Sequence, residues 1–170
     1  MSNQYILDTE RLQFRLITLT DIDNLMQIFS DPIAMQYYPN VKDKDEAIKW
    51  IECIIDTQDK FNFSMMACEL KNSNTFVGQC GFLMQDVNGK KEVEIGYLFV
   101  RKYWNNGYAT EATIACKLYA FSNKIDSVIS LIRPENKASL RVAEKNGMNY
   151  NEAIYKSGLL HRVYRINKNN

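Results

Sequence analysis

The sequence predicts a mixed α/β (α+β) fold, and three observations carry that prediction. Short runs with period-2 apolar alternation recur along the chain, amphipathic helix patterns are interspersed among them, and tight-turn signals separate the two kinds of segment. The chain has 170 residues, enough for one domain with one core, and residues 1–170 contain no linker, repeat or low-complexity tract.

Residues 11–17 open the pattern: Leu12, Phe14 and Leu16 alternate with polar neighbours, as in a half-buried strand. A helix follows, with Thr20 as its expected N-cap and Ile22, Leu25, Met26 and Phe29 on one face; Asp31-Pro32 stops it. Asp43 and Glu46 form a capping-box pair for a second helix with an apolar stripe of Ala47, Ile48, Ile51, Ile54 and Ile55. Residues 62–70 and 75–86 read as strands, and Asn88-Gly89 is a hairpin turn leading into a strand over 92–100. In that strand Val93, Ile95, Tyr97 and Phe99 face one way, and Glu92, Glu94, Gly96, Leu98 and Val100 the other. Gly107 opens a helix to about Ser122 with a stripe of mostly small residues (Ala109, Ala112, Cys116, Tyr119). Residues 126–133 form another strand, and Asn136 caps a last helix that ends before Gly147. A hairpin around Ser157-Gly158 closes the chain.

Composition excludes several functions. With 21 Lys+Arg against 20 Asp+Glu, the net charge of +1 provides no global field for nucleic acid or an anionic membrane, so neither is an expected partner. The single histidine, His161, excludes zinc sites built on two or three imidazoles and leaves any triad a single choice of base. Cys53, Cys68, Cys80 and Cys116 form no C-x-x-C pair and read as small buried hydrophobes; no metal site is expected. No signal-type or 18-residue apolar stretch occurs, which makes the cytoplasm the expected location.

Three segments could carry chemistry. In Val100-Arg-Lys-Tyr-Trp-Asn-Asn-Gly-Tyr-Ala-Thr-Glu-Ala112 a strand passes through a short loop into a helix. A helix N-terminus offers free backbone N–H groups and a positive dipole end, and Gly107 lets a ligand approach, so the segment is either a phosphate cradle or an ordinary strand-to-helix turn. Asn136-Lys-Ala-Ser139 starts the last helix and is either a cap or part of a site. Glu92 and Glu94 share one strand face that leads into the loop, as proton acceptors or as a solvated face.

Taken in order, these segments resemble the GNAT superfamily of acyl-CoA-dependent N-acetyltransferases, in the ribosomal-protein N-acetyltransferase (RimJ/RimL-like) branch. Thr9-Glu-Arg-Leu-Gln-Phe-Arg-Leu16 is similar to the branch's opening strand, and Ser30-Asp-Pro-Ile-Ala-Met-Gln-Tyr-Tyr38 to its first helix exit. Glu94-Ile-Gly-Tyr97 with Tyr103-Trp-Asn-Asn-Gly-Tyr-Ala-Thr-Glu-Ala112 resembles the central strand and pyrophosphate loop, and Asn136-Lys-Ala-Ser139 with Glu144-Lys-Asn-Gly-Met148 the last helix. The resemblance implies a mostly antiparallel sheet with a splayed central strand pair and flanking helices. It also implies acetyl-CoA as cofactor and direct acetyl transfer to a primary amine, either a peptide N-terminus or a small molecule.

By the same resemblance, backbone at Leu98 and Val100 meets the pantetheine arm. Asn105, Asn106, Gly107, Tyr108, Ala109 and Thr110 hold the diphosphate, and Asn136 and Ser139 complete the cofactor site. Glu94, then Glu92, are the candidate bases, and Ser139 the candidate proton donor. Two departures stand out: Trp104 occupies the loop's usual Gln/Arg place and Asn105 that of a frequent Gly, and Ala143 stands where many members have a proton-donating Tyr. The second leaves a non-catalytic acyl-CoA-binding or regulatory domain as the alternative. Homodimers are common in the branch, though no interface is evident in the sequence.

Overall fold

The computed structural model describes residues 5–169. Eight strands form one sheet: β1 (Tyr5–Asp8), β2 (Leu12–Leu16), β3 (Met65–Leu70), β4 (Phe76–Val87), β5 (Lys90–Phe99), β6 (Ser127–Ile132), β7 (Asn149–Lys156) and β8 (Leu159–Asn167). Their spatial order is β1-β2-β3-β4-β5-β6-β8-β7. Every pair is antiparallel except β5–β6, which is parallel. Four helices flank the sheet: α1 (Ile22–Phe29), α2 (Lys44–Phe61), α3 (Tyr108–Ser122) and α4 (Lys137–Lys145). Among the described residues, no helix is long and apolar enough to cross a membrane.

The caps explain most element boundaries. Asp43 accepts from Glu46 N and Glu46 accepts from Asp43 N, each at 2.9 Å, which pairs two otherwise free donors at the start of α2. The first helix starts later than its sequence suggests. Thr18 caps a short 3-10 turn over Leu19–Asp21, and α1 begins only after it. Asp21 is held there by Arg15 from β2, at 2.7 Å, and Arg15 also grips Glu69 on β3 at 2.8 Å. This largely buried ion cluster fixes the helix entry to the sheet, a constraint that local cap chemistry does not reveal.

The two sheet faces carry separate cores. Ile95, Phe99, Cys80, Phe82 and Cys116 pack on the α3/α4 side; Met65, Ala67, Phe29, Ile51 and Val100 pack on the α1/α2 side. The small residues Ala112, Cys116 and Ala120 are fully buried, so α3 lies close against the sheet. Cys53 departs from its expected burial: it sits on the exposed side of α2, while the other three thiols are buried. The edge strand β1 also lay outside the sequence pattern.

The parallel pair β5–β6 has a single register pair, Glu94 with Ile129. Ser130 Oγ donates to Ile95 O at 2.9 Å, and Leu131 N donates to Glu94 Oε1 at 3.1 Å. Two side chains thus take over backbone groups that a continued ladder would have used. Beyond them the strands part, and the gap opens toward the N-terminus of α3.

Candidate active site

A cavity of about 870 Å³ occupies this gap. Gly96–Phe99 of β5, Ser130–Ile132 of β6 and Arg133 just beyond it wall the cavity, α3 presents its first turn and α4 one face to it, and Tyr37, Tyr38, Trp50 and the β7–β8 hairpin form its far side.

The loop before α3 is shaped by two left-handed residues, Asn105 (φ 63°) and Gly107 (φ 81°). Glu111 N bonds to Gly107 O at 3.0 Å as the first helical bond. The preceding carbonyl lies outside the helix and is held by Arg11. Its Nη1 donates to Asn106 O at 2.9 Å, its Nε donates to Glu111 Oε2 at 2.7 Å, and its guanidinium stacks on Tyr108 with 4.6 Å to the ring centroid. Thr9 Oγ1 adds a 2.6 Å bond to Glu111. Burial would raise the Glu111 pKa, but these hydrogen bonds and the Arg11 charge outweigh it and hold the carboxyl below its ordinary range. The N–H groups of Gly107, Tyr108, Ala109 and Thr110, at the start of the helix, make no hydrogen bond with any described residue. Free amides at a helix N-terminus on a cavity wall have the chemistry that suits a polyanion.

Of the predicted loop residues, Asn105, Gly107, Tyr108, Ala109 and Thr110 line the cavity. Asn106 does not; its side chain donates to Tyr103 O and Trp104 O, each at 3.0 Å, and locks the turn. Asn136 and Ser139 line the cavity on α4. Asn136 Oδ1 accepts from Ser139 N at 3.1 Å, which caps the helix.

The strand contacts need a correction. Antiparallel pairing turns alternate peptide groups outward. Ile95 O faces β6, where it accepts from Ser130 Oγ, and Val100 N donates back to Val77 O at 2.9 Å. The alternation between these points sets the Leu98 peptide toward β4 and the Tyr97 and Phe99 peptides toward the gap. Leu98 therefore contributes its side chain to the cavity, and Val100 lies outside it. Period-2 reading gave the side-chain faces correctly but could not say which peptide groups β4 consumes.

The two glutamates separate. Glu94 lines the cavity and is 8% exposed; burial pushes its pKa up, partly offset by the Leu131 N–H, Lys156 and Gln85. Glu92 lies outside the cavity, paired with Arg165 at 2.6 Å and with Lys90 at 3.4 Å. Its burial is outweighed by those cations, which hold its pKa down. Glu92 is a structural ion-pair partner, so the sequence expectation of a second base there is not met by the geometry. His161 touches the cavity rim, with Nδ1 at 2.9 Å from Leu159 O.

Several cavity residues were not anticipated. Arg141 and Lys145 lie at i and i+4 on α4, a spacing that places two cations on one face. Tyr97 brings a buried hydroxyl to within 3.5 Å of Ser139 O. Gln79 lines the α1/α2 side.

A helix terminus with free amides thus stands beside a parted parallel strand pair. The acetyltransferase (GNAT) domain model matches residues 11–149, and the chain belongs to the GNAT acetyltransferase family. The protein YkkB of Bacillus subtilis (strain 168) is 39% identical over 150 residues, covering 87% of each chain. A GNAT-family acetyltransferase from Bacillus anthracis superposes with a TM-score of 0.82 at 27% identity, over 98% of this chain and 100% of that one. A RimL ribosomal alpha-N-protein acetyltransferase in complex with coenzyme A shares the fold, with a TM-score of 0.76 at 19% identity over 96% and 98% of the two chains.

Proposed function

We propose that this protein acts as a single-domain N-acetyltransferase, passing an acetyl group from acetyl-CoA directly to a primary amine in a ternary complex. The observation that carries the reading is the set of four unpartnered amides, Gly107 to Thr110, at the mouth of the β5–β6 gap. They suit a diphosphate, with Arg141 and Lys145 supplying positive charge from α4. The Tyr97 and Phe99 N–H groups suit a pantetheine arm laid in the gap in place of a strand.

The bound cofactor supplies an acetyl thioester; the amine forms a C–N bond as the C–S bond breaks. An alkylamine has a pKa of about 10.4 and must shed a proton to attack. Glu94, at the cavity wall with a raised pKa, is the residue assigned to take that proton, directly or through water. The Ser139 hydroxyl is assigned to return a proton to the departing sulfur; the Tyr97 hydroxyl donates to the Ser139 main-chain carbonyl at 3.5 Å. Gap-facing N–H groups would stabilise the charge that develops on the carbonyl oxygen, an effect of about 3 kcal/mol per well-placed donor.

Ala143 in the usual tyrosine place favours a second reading, a domain that binds acyl-CoA without turning it over. Thiol release from acetyl-CoA in the presence of an amine panel, with mass detection of acetylated amine, separates the two. Amine-dependent thiol release supports the transferase; cofactor binding without release across the panel supports the binding domain.

A further inference from the structure

We propose that Gln79 is a specificity-determining residue, whose side-chain N–H₂ binds an oxygen on the acceptor a few bonds from the reacting amine. Gln79 is fully buried on β4, with Leu98 of β5 and Ala67 of β3 as its cross-strand partners. Its Oε1 accepts from Trp50 Nε1 at 3.1 Å. An indole nitrogen is a donor only, so it must meet the amide oxygen, and this fixes which end of the amide is left over. That end, Nε2, has no hydrogen-bond partner among the described residues. A buried amide donor is almost always paired in a folded protein, and one left unpaired on a residue that lines a cavity points to a group that arrives with the ligand.

The neighbourhood defines that group. Phe29, Met35, Trp50 and Leu83 make this stretch of wall apolar, and Gln79 is its neutral donor. A neutral donor pairs with a carbonyl, hydroxyl or carboxylate oxygen and offers nothing to an ammonium. Glu94 lies four residues along β5 from Leu98, about 13 Å of strand, on the same face. An amine held between them, over Gly96, has Glu94 on one side for its proton and Gln79 on the other for an oxygen substituent. The acceptor class is therefore an amine with a nearby oxygen, such as an α-amino carbonyl or an amino alcohol, in preference to a plain alkylamine or polyamine. The inference rests on the acetyltransferase reading for the place of the amine, while the orphaned donor stands without it.

The test uses two isosteric amines, alaninamide and 3-methylbutan-2-amine, on the full chain saturated with coenzyme A. The Gln79 side-chain amide signals, assigned through bonds by NMR in the unmodified protein, report on Nε2 directly. A saturable shift with alaninamide and none with the alkylamine supports the proposal. Equal shifts with both, or none with either, overturn it. In turnover, Gln79→Leu is expected to lower the ratio of kcat/KM for alaninamide to that for the alkylamine about tenfold, with coenzyme A affinity unchanged; an unchanged ratio overturns the proposal. Loss of coenzyme A binding with the Gln79 shift retained would count against the acetyltransferase reading alone.

Discussion

Gly107→Ala, set beside Gly158→Ala, separates a glycine needed for a ligand from one needed for a turn. Both sit in the left-handed region, at φ 81° and 74°. A Cβ at 158 meets nothing within 4 Å, and at 107 it meets only Arg11 Nη2, at 3.4 Å, an ordinary van der Waals contact. The two substitutions therefore carry the same backbone penalty, about 1–2 kcal/mol, with little steric difference. At the β7–β8 turn the hairpin holds the conformation, so the whole penalty lowers stability. In the loop before α3 the same penalty falls on the peptide groups that a ligand must meet, so a small shift of the Gly107 backbone that relieves it moves those groups out of place. Part of the penalty then appears as weaker cofactor binding, up to roughly 5–30-fold in Kd. Calorimetric titration with coenzyme A, alongside thermal melts, measures both shares. Gly107→Ala should lose less stability than Gly158→Ala and bind coenzyme A more weakly, with binding intact in Gly158→Ala. Equal stability losses with unchanged affinity in both would refute the reasoning.

Other outcomes follow from the same geometry. Arg11→Ala removes the guanidinium that holds Asn106 O and stacks on Tyr108, loosening the loop that presents the free amides; coenzyme A affinity should fall about tenfold. Stability should change by less than about 1 kcal/mol, because Arg11 is 45% exposed, and calorimetry and melting check both. Glu94→Gln should lower kcat by at least about a hundredfold at neutral pH and abolish the acid limb of the pH–rate profile. In the unmodified protein that limb lies above the ordinary carboxylate range, because the Glu94 pKa is raised. A group whose folded pKa is raised favours the fold below its unfolded pKa and loses that contribution as pH climbs through the folded one, so Glu94→Gln should be neutral or stabilising at pH 7 by denaturant titration. Arg165→Met leaves the buried Glu92 carboxylate only the exposed Lys90 and should cost about 3 kcal/mol, with kcat per folded molecule unchanged. Glu92 has a lowered folded pKa, so the stability its ion pair provides should fade on acidification through that value.

Local rules made much of this molecule legible. The capping box at Asp43, the Asn88-Gly89 turn, the Gly107 helix start and the Asn136 cap lie where the sequence placed them. Each is settled by a few neighbouring residues. What escaped depends on partners far along the chain. Glu92 and Glu94 look alike in a period-2 strand; Arg165, which neutralises one of them, is over 70 residues away. Arg11 reads as a polar strand residue until the fold sets it against Glu111, 100 residues on. Gln79 is unremarkable in sequence, because its significance is an unmade bond that only the packed cavity exposes. The peptide groups facing the β5–β6 gap lie one residue from those the resemblance implies, because hydrogen-bond direction depends on strand register and leaves no trace in composition.

The central claim is that the main chain from Gly107 to Thr110 grips a diphosphate. A crystal structure of the coenzyme A complex tests it most directly. The account predicts diphosphate oxygens about 2.7–3.2 Å from those backbone nitrogens, with the pantetheine arm running between β5 and β6. Coenzyme A bound with its diphosphate in open solvent, or at another surface, would contradict it.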